Sequence, residues 1–407
     1  DTVEITAYDA ITTYNLTINS VTISVAGNTD VSTTAADLVA AWNLSEHPYF
    51  RNITASNVGA VITLLADNAG VPHTVTSSKT GGAGTIGAVT PSVANSGPNA
   101  LGTARNWSDN TALVNGDKVI FKDSAFSVLW DLSQGSLTLA EIRIEQSFTG
   151  KIGLNRMAVT ENVDDESAEA PEYRTIYLTL SAATVVRIGE HNGSDSPAGS
   201  GRILIDTGSS QSTIEVFNTA STQSEAGKPC VRLKANHAST AVYVRKAPGG
   251  VGIAVDLAGE TSTVSKAVCS DTTTDARVWV GPGVMITTYE QSGGTNRLEA
   301  AADVTTLTSS GGVLTVDGAF KITTVNINGG TAYLNNTYSG TGGAVPTLNL
   351  NGGTLDGTQS RVARTWDTVN WNGGTLKIED GIVTVSTLVL PTSGRFQATL
   401  SKLSSAA

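Results

Sequence analysis

Cysteine and methionine are nearly absent from this chain, two of each in 407 residues. Two thiols, Cys230 and Cys269, do not make a disulfide framework, and a single bridge or two unpaired thiols are equally open readings. Charged residues make up only 15% of the chain and aromatic residues 5%. No apolar run approaches the ~18 residues of a membrane-spanning helix, so no membrane partner is expected. No run of Lys or Arg occurs, and the formal net charge is −11. Affinity for nucleic acid comes from neutralising phosphates, so nucleic acid is set aside as a partner. The four histidines, His47, His73, His191 and His237, lack metal-ligand spacing, and neither a phosphate-binding loop nor a Gly-x-Ser-x-Gly nucleophile elbow occurs.

What is present points to β structure. Glycine occurs 42 times and 40% of residues are hydrophobic, the latter in short alternating runs among Thr, Ser, Asn and Val. β-Branched and turn residues with few long helix formers read as a mainly β chain. Its length suggests two or three units unless the fold is elongated.

Residues 1–90 read as a small α+β module. Val3–Tyr8, Tyr14–Ile18 and Val21–Val25 alternate as half-buried strands do. A helix follows, with Ser32, Thr33 and Thr34 as N-cap candidates and Asp37 in its first turn. Ala35, Leu38, Val39 and Trp42 share one face of it. Strands near Ile53 and Val61–Leu65 complete a ββαββ-like order. Gly, Ser and Pro crowd residues 78–104, and 91–104 is read as a linker. Residues 105–200 are β-rich, interrupted by the acidic segment Glu161–Glu172.

The last third carries an internal repeat. Thr288-Tyr289-Glu290-Gln291-Ser292-Gly293-Gly294 recurs as Thr306-Leu307-Thr308-Ser309-Ser310-Gly311-Gly312. It recurs again as Thr324-Val325-Asn326-Ile327-Asn328-Gly329-Gly330, as Thr347-Leu348-Asn349-Leu350-Asn351-Gly352-Gly353 and as Thr368-Val369-Asn370-Trp371-Asn372-Gly373-Gly374. The first glycines step by 18, 18, 23 and 21 residues. That period is too short for a helical hairpin of about 34 residues or a propeller blade of about 40. It fits one coil of strands with Gly-Gly corners, apolar side chains inward and Thr and Asn outward. The expected fold is therefore a parallel β-helix (β-solenoid) over 201–407, with 105–200 as candidate first rungs.

Motifs that could carry chemistry are weak. Ile203-Leu204-Ile205-Asp206-Thr207-Gly208-Ser209 is similar to an aspartic-protease loop, but no second such triplet supplies the other carboxylate. A strand and turn is the simpler reading. Glu161, Asp164, Asp165, Glu166, Glu169 and Glu172 offer oxygens for calcium without the regular spacing, so a solvated loop is favoured. Asp356, Asp367, Glu379 and Asp380 fall near successive coils, where a glycan-cleaving β-helix would need a carboxylate pair. No spacing selects one pair, and surface carboxylates are the preferred reading. Trp366 and Trp371 could stack on sugars, with Trp371 expected to face the core. No catalytic residue, cofactor or metal ligand is assigned.

The module near 12–80, the Asn106–Phe121 segment and the Gly-Gly rungs from 293 to 394 together resemble phage virion structural proteins, of capsid decoration, head-fibre or tail-spike type. The resemblance implies a non-enzymatic homotrimer on a virion surface, no cofactor and a major capsid or tail protein as partner. A host surface glycan is a further candidate partner. Two alternatives stay open: a bacterial surface protein (adhesin, S-layer component or autotransporter-like passenger), and a polysaccharide-degrading β-helix enzyme. Neither a leader before Asp1 nor an anchor at Leu403–Ala407 is evident, which favours the virion reading.

Overall fold

The computed structural model describes residues 1–18, 21–51, 53–66, 73–91, 100–129, 131–153, 177–190, 203–219, 229–255, 260–272, 276–338, 340–360, 362–379 and 381–391. They form two compact units, one built on Asp1–Ala112 and one on the strands running from Lys118 to Val389. Among the described residues no helix is long and apolar enough to cross a membrane.

The first unit holds two antiparallel sheets, richer than the ββαββ-like order. One runs Ile53–Val58, Val61–Ala66, Thr2–Ala7, Thr85–Ile86; the other runs Val21–Ala26, Thr13–Ile18, Val75–Thr80. The helix Val31–Leu44 packs with them through Ala35, Leu38 and Trp42, while Val39 is only half-buried. Its cap is Asp30, not Ser32, Thr33 or Thr34: the Thr33 N–H donates to Asp30 Oδ1 at 2.7 Å. A carboxylate there also complements the positive end of the helix dipole. The Thr34 hydroxyl instead donates to the Asp30 carbonyl at 2.7 Å. Trp42 packs edge-on against Phe50 and donates from Nε1 to the Ile53 carbonyl at 2.8 Å.

In the second unit the strands described pair in parallel, with one isolated antiparallel bridge between Ala182 and Gly208. Its long-strand ladder runs through Lys118–Phe121, Ser133–Glu145, Leu178–Glu190, Thr213–Val216, Ala241–Val244, Ser262–Cys269 and Val278–Gln291, with register shifts only where Ser133–Glu145 meets Leu178–Glu190. It continues through Val304–Ser309, Ile322–Ile327, Val345–Leu350, Arg364–Trp371 and Val383–Val389. A short-strand ladder runs from Leu178–Glu190 through Ile203–Asp206, Val231–Lys234 and Val251–Ile253 to Val278–Gln291, and on through Thr295–Ala300, Val313–Val316, Thr331–Leu334, Thr354–Asp356 and Thr375–Lys377. In-register pairing stacks like on like. Tyr289, Leu307, Val325, Leu348 and Val369 form one fully buried inward column.

The expected parallel β-solenoid is corrected here: the hydrogen-bonded strand order returns on itself, giving a closed parallel barrel. The long strands explain why the sequence misled. Leu178–Glu190 and Val278–Gln291 run 13 and 14 residues. Leu178–Glu190 pairs with both Ile203–Asp206 and Thr213–Val216, and Val278–Gln291 with both Thr295–Ala300 and Val304–Ser309. They therefore join both ladders into one sheet. A repeat read as rungs broken at each Gly-Gly tells which strand meets which, and does not show that the sheet is continuous.

At the corners the second glycine of each pair takes up a left-handed conformation: Gly294, Gly312, Gly330, Gly353 and Gly374 have φ between +72° and +82°. A Cβ on Gly353 would lie 2.5 Å from the carbonyl oxygen of Gly330 one rung below. Only glycine satisfies both the backbone and the close approach.

Candidate functional site: the hydroxyl–amide face

The outward side of the long-strand ladder changes character along its length. Arg143, Arg187 and Glu215 are register partners, and Lys118 and Glu141 are partners two residues earlier. The Arg187 guanidinium bridges Glu141 Oε1 at 3.1 Å and Glu215 Oε2 at 3.0 Å, and Arg143 adds a bond to Glu141 at 2.9 Å. Burial raises the Glu141 pKa, but the hydrogen bond and charge of Arg143 with the charge of Arg187 outweigh it, leaving the carboxyl below its ordinary value. Lys266 and Glu290, 3.6 Å apart, are the last charged pair in this series.

From Thr306 onward the columns are neutral. The first is Thr306, Thr324, Thr347, Thr368 and Thr387; the second is Thr308, Asn326, Asn349 and Asn370. Asn370 Nδ2 donates to Asn349 Oδ1 at 2.7 Å, and Asn349 Nδ2 to Asn326 Oδ1 at 2.8 Å. A third column at the corners repeats this: Asn372 to Asn351 and Asn351 to Asn328, both at 2.9 Å. Each primary amide carries a donor and an acceptor, so one side chain per rung propagates the chain of bonds. Each bond adds on the order of 1 kcal/mol net and, more to the point here, fixes the rotamers of the face. Parallel neighbours lie about 4.8 Å apart and outward residues about 6.6 Å apart along the strand, so the face is a two-dimensional lattice of hydroxyls and amides. Thr306, Thr324, Thr347 and Thr368 are half-exposed, and Asn328, Asn351 and Asn372 exposed.

The short-strand ladder presents the opposite chemistry. Arg297, Thr315, Tyr333, Asp356 and Lys377 are register partners there. Arg297 pairs with Glu299 at 2.6 Å and Asp317 at 3.3 Å, and Lys377 with Asp356 at 3.7 Å.

The residues singled out from sequence do not converge on a reaction centre. Asp206 ends a strand and its Oδ1 accepts from the Gly208 N–H at 3.0 Å, while Thr207 is buried and Gly208 has φ +74°. That is a turn. Asp356 is buried and accepts from the Thr358 N–H and hydroxyl at 2.9 and 2.7 Å. Asp367 accepts from the Gly343 N–H at 3.1 Å, and Glu379 is exposed. Of the pair, Trp366 is fully buried in the core; Trp371, expected there, is half-exposed with Nε1 donating to the Gly374 carbonyl at 3.2 Å. Cys230 and Cys269 are buried and not bridged to each other. His47, His73 and His237 are set apart in sequence and element, and no group of three or more metal-ligating side chains occurs among the described residues. The segment Glu161–Glu172, His191 and Asp380 lie outside the described residues.

Two buried polar arrangements gave no sequence signal. Arg364 is buried with its guanidinium donating to the carbonyls of Leu334, Gly357, Ser360 and Val362. It pins the connection between Asp356 and its own strand. Inside the body, Asn296 Nδ2 donates to Gln291 Oε1 at 2.9 Å, and Gln291 Nε2 to the Gly311 carbonyl at 2.8 Å. There the inward column changes from Cys269 to Gln291 to Ser309 before returning to Ile327.

No family model matches the chain, and neither the curated proteins nor the solved structures give a match.

Proposed function

We propose that this chain is a non-enzymatic structural protein of a phage virion surface, of capsid decoration, head-fibre, tail-fibre or tail-spike type. The observation that carries the reading is the continuous parallel ladder from Lys118 to Val389, with apolar side chains stacked inward along it. Such a body is stiff, because each strand is hydrogen-bonded to its neighbours and each inward side chain fills a close-packed column. The carboxylates along the ladders support the same reading by what they do: the buried Asp356 and the half-buried Asp367 hold turns, and Glu141, Glu215 and Glu290 hold ion pairs. A homotrimer bound to a major capsid or tail protein, with no cofactor, is the form proposed.

The test is purification of particles from the source, with quantitative mass spectrometry and antibody labelling under the electron microscope. The expected result is a fixed copy number per particle and label on its outside. Label confined to host cells, with the chain missing from washed particles, overturns the virion assignment. Reducing-sugar release from host glycan that disappears in Asp367→Asn overturns the non-enzymatic part.

A further inference from the structure

We infer that the neutral hydroxyl–amide face, from Thr306 to Asn372, is a docking surface for a second copy of this chain. The inference stands independently of a virion location. Three observations lead to it.

The first is charge. The chain carries a formal net charge of −11, so two copies approaching at random repel. The short-strand face is laced with Arg297, Glu299, Asp317, Asp356 and Lys377. On the opposite ladder the columns through Thr324, Thr347, Thr368, Asn326, Asn349 and Asn370 carry no charge. Among the described residues the charges that border these columns are paired or bonded: Glu290, the register partner of Thr308, with Lys266 at 3.6 Å, Asp303 with Lys321 at 3.7 Å, and Asp367 with the Gly343 N–H. This is where two acidic chains can meet without bringing like charges face to face.

The second is self-complementarity. Hydroxyls and primary amides both donate and accept, so the same surface can satisfy itself across a two-fold or cyclic axis. A partner must also match the spacing of about 4.8 Å between rungs to satisfy successive groups, and a second copy has that spacing by construction. Paired sheets with identical ladders, amide ladders among them, interlock in this way.

The third is preorganisation. The Asn326–Asn349–Asn370 and Asn328–Asn351–Asn372 bonds already fix these rotamers in the single chain. Little side-chain entropy is left to lose on contact, which is the usual cost of a polar interface. Five rungs make a small patch against the ~800 Å² per partner of a standard interface, so the association is expected to depend on concentration.

The experiment compares the full chain with Thr347→Lys by light scattering after size exclusion, from low micromolar to near-millimolar protein. The unmodified chain is expected to rise above its monomer mass of 41.8 kDa, and Thr347→Lys to stay at that mass with an unchanged far-ultraviolet spectrum. A second pair of variants keeps the test valid if the lysine disturbs folding. Thr347→Cys, on the neutral face, should cross-link between chains under mild oxidation, whereas Thr315→Cys, on the charged face, should not. A monomer at every concentration overturns the inference, including one that is retained by a neutral glycan column instead. So does cross-linking through Thr315→Cys as fast as through Thr347→Cys.

Discussion

Cys269 shows how strongly one position in a stacked column is controlled by its neighbours. It sits inward between Val244 and Gln291 in register, and burial pushes its thiol up to about 11. The thiolate is the reactive species, so almost none forms near neutral pH. In the native protein neither Cys269 nor the buried Cys230 is expected to react with a thiol reagent at pH 8, while the unfolded chain should titrate two thiols. A fast native thiol would show that the column is open there. The corner glycines give a sharper comparison. Gly353→Ala meets both a left-handed backbone and a Cβ 2.5 Å from Gly330, whereas Gly381→Ala at φ +76° has nothing within 4 Å. The second change should cost about 1–2 kcal/mol from backbone strain alone, and the first clearly more, as read from denaturation midpoints. Equal losses would mean that the rungs are not in close contact at the Gly-Gly corner.

At the scale of elements, the charged start of the long-strand ladder is expected to make stability fall in acid. Glu141 is 12% exposed and held below its ordinary value of 4.5 despite burial. A depressed carboxyl contributes stability that is present above that value and lost as pH falls through the folded one. Glu141→Gln should therefore be less stable than the unmodified chain at neutral pH, with the gap closing below pH 4.5. A gap independent of pH would assign the effect to packing instead. Strand positions of this kind were readable from alternation and from the Gly-Gly spacing: Thr324–Ile327, Thr347–Leu350 and Thr368–Trp371 all lie in strands of the ladder. The bonds between rungs were not readable, because Asn326, Asn349 and Asn370 are 23 and 21 residues apart and meet only through register. Nor was the Asp30 cap, since Ser32, Thr33 and Thr34 offered three plausible hydroxyls and only geometry decides among them. Trp366 and Trp371 exchanged roles for a local reason: Trp366 aligns with the buried Val345 and packs over Gly357.

At the scale of the whole molecule, a mainly β chain with repeated Gly-Gly corners was legible, and the sheet's closure was not. Leu178–Glu190 and Val278–Gln291 tie the two ladders into one sheet, and their length past a single rung leaves no repeating mark in the sequence. The division into a charged and a neutral face was half legible. Thr and Asn were visible as outward residues, but the charges of Arg297, Glu299 and Asp317 belong to the second ladder only once the chain has folded back. The proposed rigidity, the proposed docking face and the amide ladders all require the repeats to pair in parallel at one fixed register. Thr324 and Thr347 are partners in that register. Their α-carbons are expected about 4.8 Å apart, within the about 4.4–6.8 Å that a disulfide spans. The most direct measurement is oxidation of the double variant T324C/T347C, followed by non-reducing peptide mass analysis at a dilution where chains do not meet. A bridge within one chain is the expected result, with T324C/N349C, two residues out of register, staying reduced. Bridging of T324C/N349C in place of T324C/T347C would contradict it.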